Sequence, residues 1–189
     1  LLRLSVASAG NDHRLGANEA PPAIVSMFLG EELDGILNAI AEDRTYSKRA
    51  KCEYEIGVSS LPKFTKDSTD RNRTSPFAFT GNRFEFRATG SSNNCAAPLI
   101  AINTAVAEQL TQFKIDVDKL IDKGVKKDEA ILQVIRKYII ASKKIRFEGN
   151  GYSAEWLEEA QRRGIESIGN VPDAFKIFNR PEFVALFEK

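Results

Sequence analysis

An alternating aromatic and charged stretch near the middle of the chain predicts a β-hairpin. From Phe77 to Arg87 the sequence reads Phe-Ala-Phe-Thr-Gly-Asn-Arg-Phe-Glu-Phe-Arg. Its Gly81-Asn82 pair tolerates the positive φ that a tight two-residue turn requires. Successive side chains of a strand point to opposite faces, so we expect Arg83, Glu85 and Arg87 on one face and phenylalanines on the other.

The charged face of this hairpin has two interpretations. Two guanidiniums beside a carboxylate can bind a phosphate or carboxylate ligand while the glutamate binds a divalent metal, which is what a phosphoryl-transfer site needs. Solvated strands also carry Arg/Glu pairs routinely, and the triplet taken alone favours that surface role. The pattern therefore predicts the local fold and leaves the function open.

Composition and charge exclude several classes of protein. The chain has 189 residues, of which 42% are hydrophobic and 28% charged, with a net charge of +1. These values are typical of a globular protein with one core or two small ones, and they argue against a nucleic-acid or membrane partner. Cys52 and Cys95 lack metal-ligand companions, which predicts reduced thiols in a cytoplasmic protein. Because the sequence opens on Leu1 with no initiator Met, we expect a fragment of a longer protein.

Hydrophobic periodicity predicts an α+β protein whose C-terminal region is mostly helical. The apolar run from Ala23 to Leu29 predicts a buried strand, and Glu31 to Asp43 an amphipathic helix. Further helices are expected from Pro98 to about Phe113, from Asp128 to Lys144, from the N-cap Ser153 onward, and after Pro172 and Pro181. The inward faces of two of these helices are predicted to carry Ile131, Leu132, Ile135, Tyr138, Ile139, Trp156 and Leu157.

Two polar loops are candidates for functional segments. The stretch from Ser59 to Ser75 is long and charged, as expected for a lid or substrate flap. The stretch from Gly10 to Pro22 places Arg14 and Glu19 among small residues that let the backbone approach a ligand. An exposed turn whose Asn and Asp bond their own backbone explains the second loop equally well. His13 has no ligand-spaced partner, so the sequence contains no histidine metal motif.

Three motifs, in this order, resemble glutamine synthetase, and specifically the large type III form of many bacteria. Residues 13–21, His-Arg-Leu-Gly-Ala-Asn-Glu-Ala-Pro, resemble the glutamate-binding flap of that family. Asn72-Arg73-Thr74 is similar to its Asn-Arg-Ser motif, and residues 83–87 to its Arg-x-Glu-x-Arg strand. The similarity continues through residues 91–98 and into the helical tail near Lys144 to Glu148, so it covers nearly the whole chain.

The resemblance implies ATP-dependent amidation, in which glutamate is phosphorylated to γ-glutamyl phosphate and ammonia then displaces phosphate. The implied substrates are glutamate, ammonia and ATP, with Mg²⁺ or Mn²⁺ as the metal. By resemblance, Glu85 would bind the metal and Arg83 the nucleotide phosphate. Arg73 would stabilise the transferring phosphoryl group, and Glu19 would take a proton from ammonium. Arg87 and Arg14 would hold the glutamate carboxylates.

The resemblance also implies a division of the chain and an assembly. Residues 1–113 would form the C-terminal portion of a catalytic domain, with the hairpin as part of its sheet, and residues 114–189 a helical C-terminal region. Homo-oligomeric rings are expected for the intact enzyme. The family's Glu-x-Glu metal strand and its Gly-rich loop with a metal-binding His are absent from this sequence. We therefore expect the 189-residue chain to be inactive alone.

Two other functions remain open on the sequence. The chain could be a non-catalytic module whose Arg/Glu face binds a partner or organises an oligomer. It could also be part of a related γ-glutamyl ligase that acts on amines other than ammonia. The pocket around Glu19 would separate the second alternative from glutamine synthesis.

Overall fold

A computed structural model describes residues 1–8, 10–12, 15, 23–47, 53–54, 64–65 and 75–188, with the side chains of 53–54, 64–65 and 187 left out. The fold is mixed α+β with a mostly helical C-terminal region, which confirms the predicted class. The strands are β1 (Met27–Phe28), β2 (Glu53–Tyr54), β3 (Phe64–Thr65), β4 (Phe77–Phe79) and β5 (Phe84–Phe86). The α-helices are α1 (Leu2–Ser5), α2 (Glu31–Ala41), α3 (Ala96–Ile121), α4 (Lys127–Ser142), α5 (Ala154–Arg162), α6 (Val171–Phe175) and α7 (Pro181–Phe187).

The main sheet has the order β1-β4-β5 and contains the predicted hairpin. β4 and β5 are antiparallel, with Ala78 opposite Glu85, and β1 runs parallel to β4. Gly81 has a φ of +95°, while no non-glycine residue of the hairpin has a positive φ. That geometry fits a turn with glycine at its first central position, so only one of the two turn residues uses its conformational freedom.

The predicted strand from Ala23 to Leu29 is only partly a strand. Met27 and Phe28 pair with β4, whereas Ile24 forms an isolated bridge with Ser167. On the other side of β1, the Phe147 amide donates to the Met27 carbonyl at 2.9 Å. β1 therefore lies between β4 and the segment that follows α4, which links the sheet to the helical region.

α3 and α4 form an antiparallel hairpin around a small apolar core. Val117, Ala130 and Val134 are buried together, and Phe113 and Tyr138 pack against them. The amides of residues 124 and 125 return to carbonyls in the last turn of α3, and Gly124 has a φ of +89°. A glycine in this conformation ends helices commonly, which explains the stop that precedes α4.

The predicted inward faces of α4 and α5 are partly wrong. Leu132 and Ile135 are exposed, because α4 meets α3 through the stripe containing Ala130 and Val134. Leu157 is also exposed, whereas Trp156 is 3% exposed and stacks on Phe147. Apolar periodicity identifies a helix but does not say which apolar positions its neighbour covers.

The helix starts near the C-terminus follow their capping residues. The Ser153 hydroxyl accepts from the Trp156 amide at 3.2 Å, and Pro172 and Pro181 lie in the first turns of α6 and α7. No helix of the described residues is long and apolar enough to cross a membrane. The predicted division between residues 113 and 114 falls inside α3 and stays a prediction.

Most of the predicted loop from Ser59 to Ser75 lies outside the described residues. The described part of this loop contains β3, which pairs antiparallel with the preceding strand β2. Glu53 lies opposite Thr65, and Tyr54 lies opposite Phe64.

Candidate active site at one edge of the sheet

The topology of the main sheet brings three chain segments to the same edge. In parallel strands the N-terminal ends coincide, and an antiparallel neighbour brings its C-terminal end to that edge. The beginnings of β1 and β4 therefore lie beside the end of β5. Ser26 precedes β1, Ser75 precedes β4 and Arg87 follows β5.

Hydrogen bonds connect these three residues directly. The hydroxyls of Ser26 and Ser75 are 2.7 Å apart and buried. The Arg87 Nη2 donates to the Ser75 carbonyl at 3.1 Å, and the Arg87 amide donates to the Pro76 carbonyl at 2.6 Å. Arg87 is thus fixed by backbone acceptors at the edge where the three segments meet.

Glu85 lies on the charged face that alternation predicts. Its Oε2 is 3.6 Å from the Arg87 Nε, and both side chains are about one quarter exposed, at 28% and 24%. On the other face, Phe84 stacks on Phe77 with ring centroids 5.0 Å apart, and Phe86 meets the same ring edge-on. The aromatic face orients the strand so that Glu85 and Arg87 stay together.

Arg83 lies two residues before Glu85, at the turn that precedes β5, whereas Arg87 follows β5. Arg83 is exposed at the turn, where its carbonyl accepts from the Thr80 amide at 2.8 Å. Residues four apart along an extended strand are separated by about 13 Å. The structure therefore brings Glu85 and Arg87 together, while Arg83 lies at the turn end of the hairpin.

The loop that carries Arg14 and Glu19 begins at a buried anchor. Asn11 is fully buried, and its Nδ2 donates to the carbonyls of Val6 and Ala88, each at 2.8 Å. Leu15 and Ala23 pack with Val6 and Ala88 in one core cluster. Both ends of residues 12–22 are therefore held beside the end of β5.

Three predicted site residues, Arg14, Glu19 and Arg73, lie outside the described residues. Their described neighbours in sequence are informative. Arg73 is two residues before Ser75, and Glu19 is four residues before Ala23. The chain segments that lead to both residues start from the edge that holds Arg87, so the topology permits them to meet there.

Asn11 and Ser75 were not predicted from the sequence. Asn11 lies near the start of the polar loop from Gly10 to Pro22 and looks like an ordinary turn residue, and Ser75 is a small residue between two motifs. Their role depends on distant contacts, with Ala88 and with Ser26 and Arg87 respectively. Local patterns carry no signal for contacts of that kind.

The carboxylate of Glu85 is suited to provide one ligand of a divalent cation. A carboxylate oxygen is the ligand that Mg²⁺ and Mn²⁺ prefer. Within the described residues, no group of three or more His, Cys, Asp or Glu side chains is placed to hold a metal ion. Glu85 would therefore act with ligands from elsewhere.

The chain is similar to known proteins along its whole length. Residues 130–189 match the family described as "Glutamine synthetase C-terminal domain". A glutamine synthetase of Bacteroides fragilis (strain YCH46) is 59% identical over 177 residues, covering 92% of this chain and 24% of the relative. A type-3 glutamine synthetase of Dictyostelium discoideum is 44% identical over 189 residues, covering 100% of this chain and 26% of the relative. A glutamine synthetase of Butyrivibrio fibrisolvens is 42% identical, with the same coverage.

These similarities confirm the resemblance that the motifs indicate. The chain spans about a quarter of the length of the curated relatives it matches.

Proposed function

We propose that the full-length protein forms glutamine from glutamate and ammonia with ATP, because the chain is similar to a segment of glutamine synthetases, including a type-3 form. The reaction would proceed through γ-glutamyl phosphate, with ammonia displacing the phosphate. One observation in the structure supports it most. The anchored ends of the segments carrying Glu19 and Arg73 meet Arg87 and Glu85 at one sheet edge.

Arg87 is suited to hold a substrate carboxylate in a fixed orientation. Its guanidinium is restrained by the Ser75 carbonyl and by Glu85, so little side-chain freedom is lost when a ligand binds. Guanidinium donors match carboxylate oxygens in pairs. We assign the same class of role to Arg14, whose loop begins at the Asn11 anchor.

Glu85 would provide one ligand for Mg²⁺ or Mn²⁺, and such a cation supplies charge neutralisation for phosphoryl transfer. We assign the binding of the nucleotide phosphate to Arg83, whose exposed position at the turn leaves it accessible. Arg73 would stabilise negative charge on the transferring group. By resemblance to the glutamate-binding flap, Glu19 would accept a proton from ammonium, and its loop would close over the site and exclude water.

We also propose that the full-length protein is cytoplasmic and assembles into homo-oligomeric rings. Exposed apolar side chains along α3, among them Leu99, Ile100, Val106 and Leu110, support the second proposal. Exposed apolar side chains in such number along one helix are typical of a surface that another chain or domain covers.

The test is a glutamine synthesis assay on the full-length protein, with ADP release measured in the presence and absence of ammonium. We expect product only when glutamate, ammonium, ATP and a divalent cation are all present. Glu85→Ala should abolish phosphoryl transfer, whereas Glu158→Ala, which removes an exposed carboxylate of α5, should retain activity. Full activity of Glu85→Ala would refute the role assigned to Glu85.

Glu19→Ala separates the two half-reactions. Since Glu19 is assigned to proton transfer from ammonium, its loss should impair the ammonia step and retain phosphoryl transfer. Isotope exchange in ATP, which requires reversible formation of the acyl phosphate, is measured without ammonium. It therefore reports the first step without the second. Equal loss of both steps would remove this assignment. Turnover with bulkier amines in preference to ammonia would favour the related γ-glutamyl ligase, and no turnover with any amine would favour the non-catalytic module.

A further inference from the structure

A charged cavity lies between α2, the end of α4 and α5, and its lining shares no residue with the candidate active site. Its volume is about 320 Å³, at the lower end of the range of about 300 to 1,000 Å³ that small-molecule sites occupy. Five cationic and two anionic side chains line it: Lys143, Lys144, Arg146, Arg162, Arg163, Asp34 and Glu159. None of these residues belongs to the proposed catalytic machinery.

Buried or partly buried arginines connect the walls of this cavity through hydrogen bonds. Arg146 is 9% exposed, and its two Nη atoms donate to Asp34 at 2.7 Å and Asn38 at 3.0 Å. The Arg163 Nη1 donates to the Arg146 carbonyl at 2.8 Å, and its guanidinium lies 5.4 Å from the centre of the Trp156 ring. The cavity is therefore preorganised, which lowers the entropy cost of binding.

The two carboxylates of the cavity are already neutralised by arginines. Asp34 pairs with Arg146, and Glu159 accepts from both Arg162 and Arg163 at 2.6 to 2.8 Å. Among the residues that the structure describes, Lys143 and Lys144 have no ion-pair partner. With five cations and two anions, the lining carries a net charge of +3, and Glu42 lies near enough to Lys143 to offset part of it.

From this arrangement we infer that the cavity binds a small, multiply charged oxyanion, with phosphate or carboxylate groups. The lysine ammoniums supply charge at the rim, and the arginines supply oriented N–H donors. Trp156 is buried beneath Arg163 and stacked on Phe147, so it presents no open face for a nucleobase. The recognised group is therefore the oxyanion itself.

The experiment is calorimetric titration of the full-length protein with pyrophosphate and, separately, citrate, without ATP or glutamate, at about 0.15 M ionic strength. We expect saturable binding that is weakened by about tenfold or more in Lys143→Ala/Lys144→Ala, which loses two charge-assisted contacts. The matched control is Lys126→Ala/Lys127→Ala, which removes two adjacent exposed lysines from the other end of α4. Its affinity should stay within about twofold of the unaltered protein.

The comparison of variants decides the inference. Unchanged affinity in Lys143→Ala/Lys144→Ala, equal weakening in the control, or the absence of binding would each overturn it. A preference for pyrophosphate or for citrate supports it and identifies the oxyanion. Glutamine synthesis is not measured, so failure here leaves the proposed function standing, and failure of that assay leaves this site standing.

Discussion

Asn11 shows how a single buried side chain can organise a candidate site. Its amide nitrogen satisfies two carbonyls that are 82 residues apart in sequence, one after α1 and one after β5. Gly90 permits this arrangement, because a Cβ at that position would lie only 3.0 Å from the Asn11 Oδ1. The residue therefore fixes the start of the loop bearing Arg14 and Glu19 against the strand bearing Glu85.

We expect Asn11→Ala to destabilise the protein by roughly 1 to 3 kcal/mol, because two buried carbonyls lose their donor. Urea unfolding followed by circular dichroism measures this. Asn93→Ala is the matched control, since Asn93 also bonds the N-terminal segment, through Ser8, but is exposed. Its effect should stay within about 0.5 kcal/mol. Equal stability of the two variants would show that Asn11 is not an anchor.

At the level of elements, the sequence predicts what is encoded locally. The Gly81 turn, the Ser153 cap and the helix starts at Pro172 and Pro181 all depend on residues close in sequence. α3 shows the limit of such patterns. It begins at Ala96, whose amide donates to the Asn94 side chain, and continues to Ile121 because its last turns pack against α4.

The candidate site follows the same division. Alternation along residues 83–87 was sufficient to place Glu85 and Arg87 on one face. It could not show that Ser26 and Ser75 join two distant segments, or that Arg87 bonds the Ser75 carbonyl. Those facts depend on strand order and register, which a single sequence specifies only through long-range packing.

One polar network joins α3 to α4 and gives a pH-dependent prediction. Asp116 accepts from Lys137 at 2.8 Å, Gln112 at 2.8 Å and the Tyr138 hydroxyl at 3.1 Å. These hydrogen bonds, that of Lys137 foremost, lower the pKa of Asp116 from 3.8 to about 2. A carboxyl whose pKa is lower in the folded state stabilises the fold above its unfolded pKa, and this contribution is lost as the pH falls through its folded pKa.

We therefore expect Asp116→Asn to be less stable than the unaltered protein at neutral pH, with the difference shrinking between about pH 4 and pH 2. Urea unfolding at a series of pH values measures it. Asp118→Asn is the control, because the ion pair that Asp118 makes within the described part of the chain is with Lys114 on its own helix, and Asp118 is half exposed. A constant difference for Asp116→Asn across this pH range would contradict the assignment.

At the scale of the whole molecule, the described part of the site pairs one carboxylate, that of Glu85, with one arginine, Arg87. These two groups are too few for phosphoryl transfer. Such a reaction needs several ligands to neutralise developing charge, and the described residues place no three metal-binding side chains together. The relatives are about four times as long as this chain. The proposed reaction would need further ligands from residues beyond those described, and we propose that they come from the rest of a longer protein.

The 189-residue chain expressed by itself should consequently form no glutamine, whereas the full-length protein should form it under the same conditions. Circular dichroism of the isolated chain shows whether its helices have formed, and thereby separates an incomplete site from an unfolded chain. Turnover by the isolated chain near the rate of the full-length protein would mean that residues 1–189 contain every catalytic group.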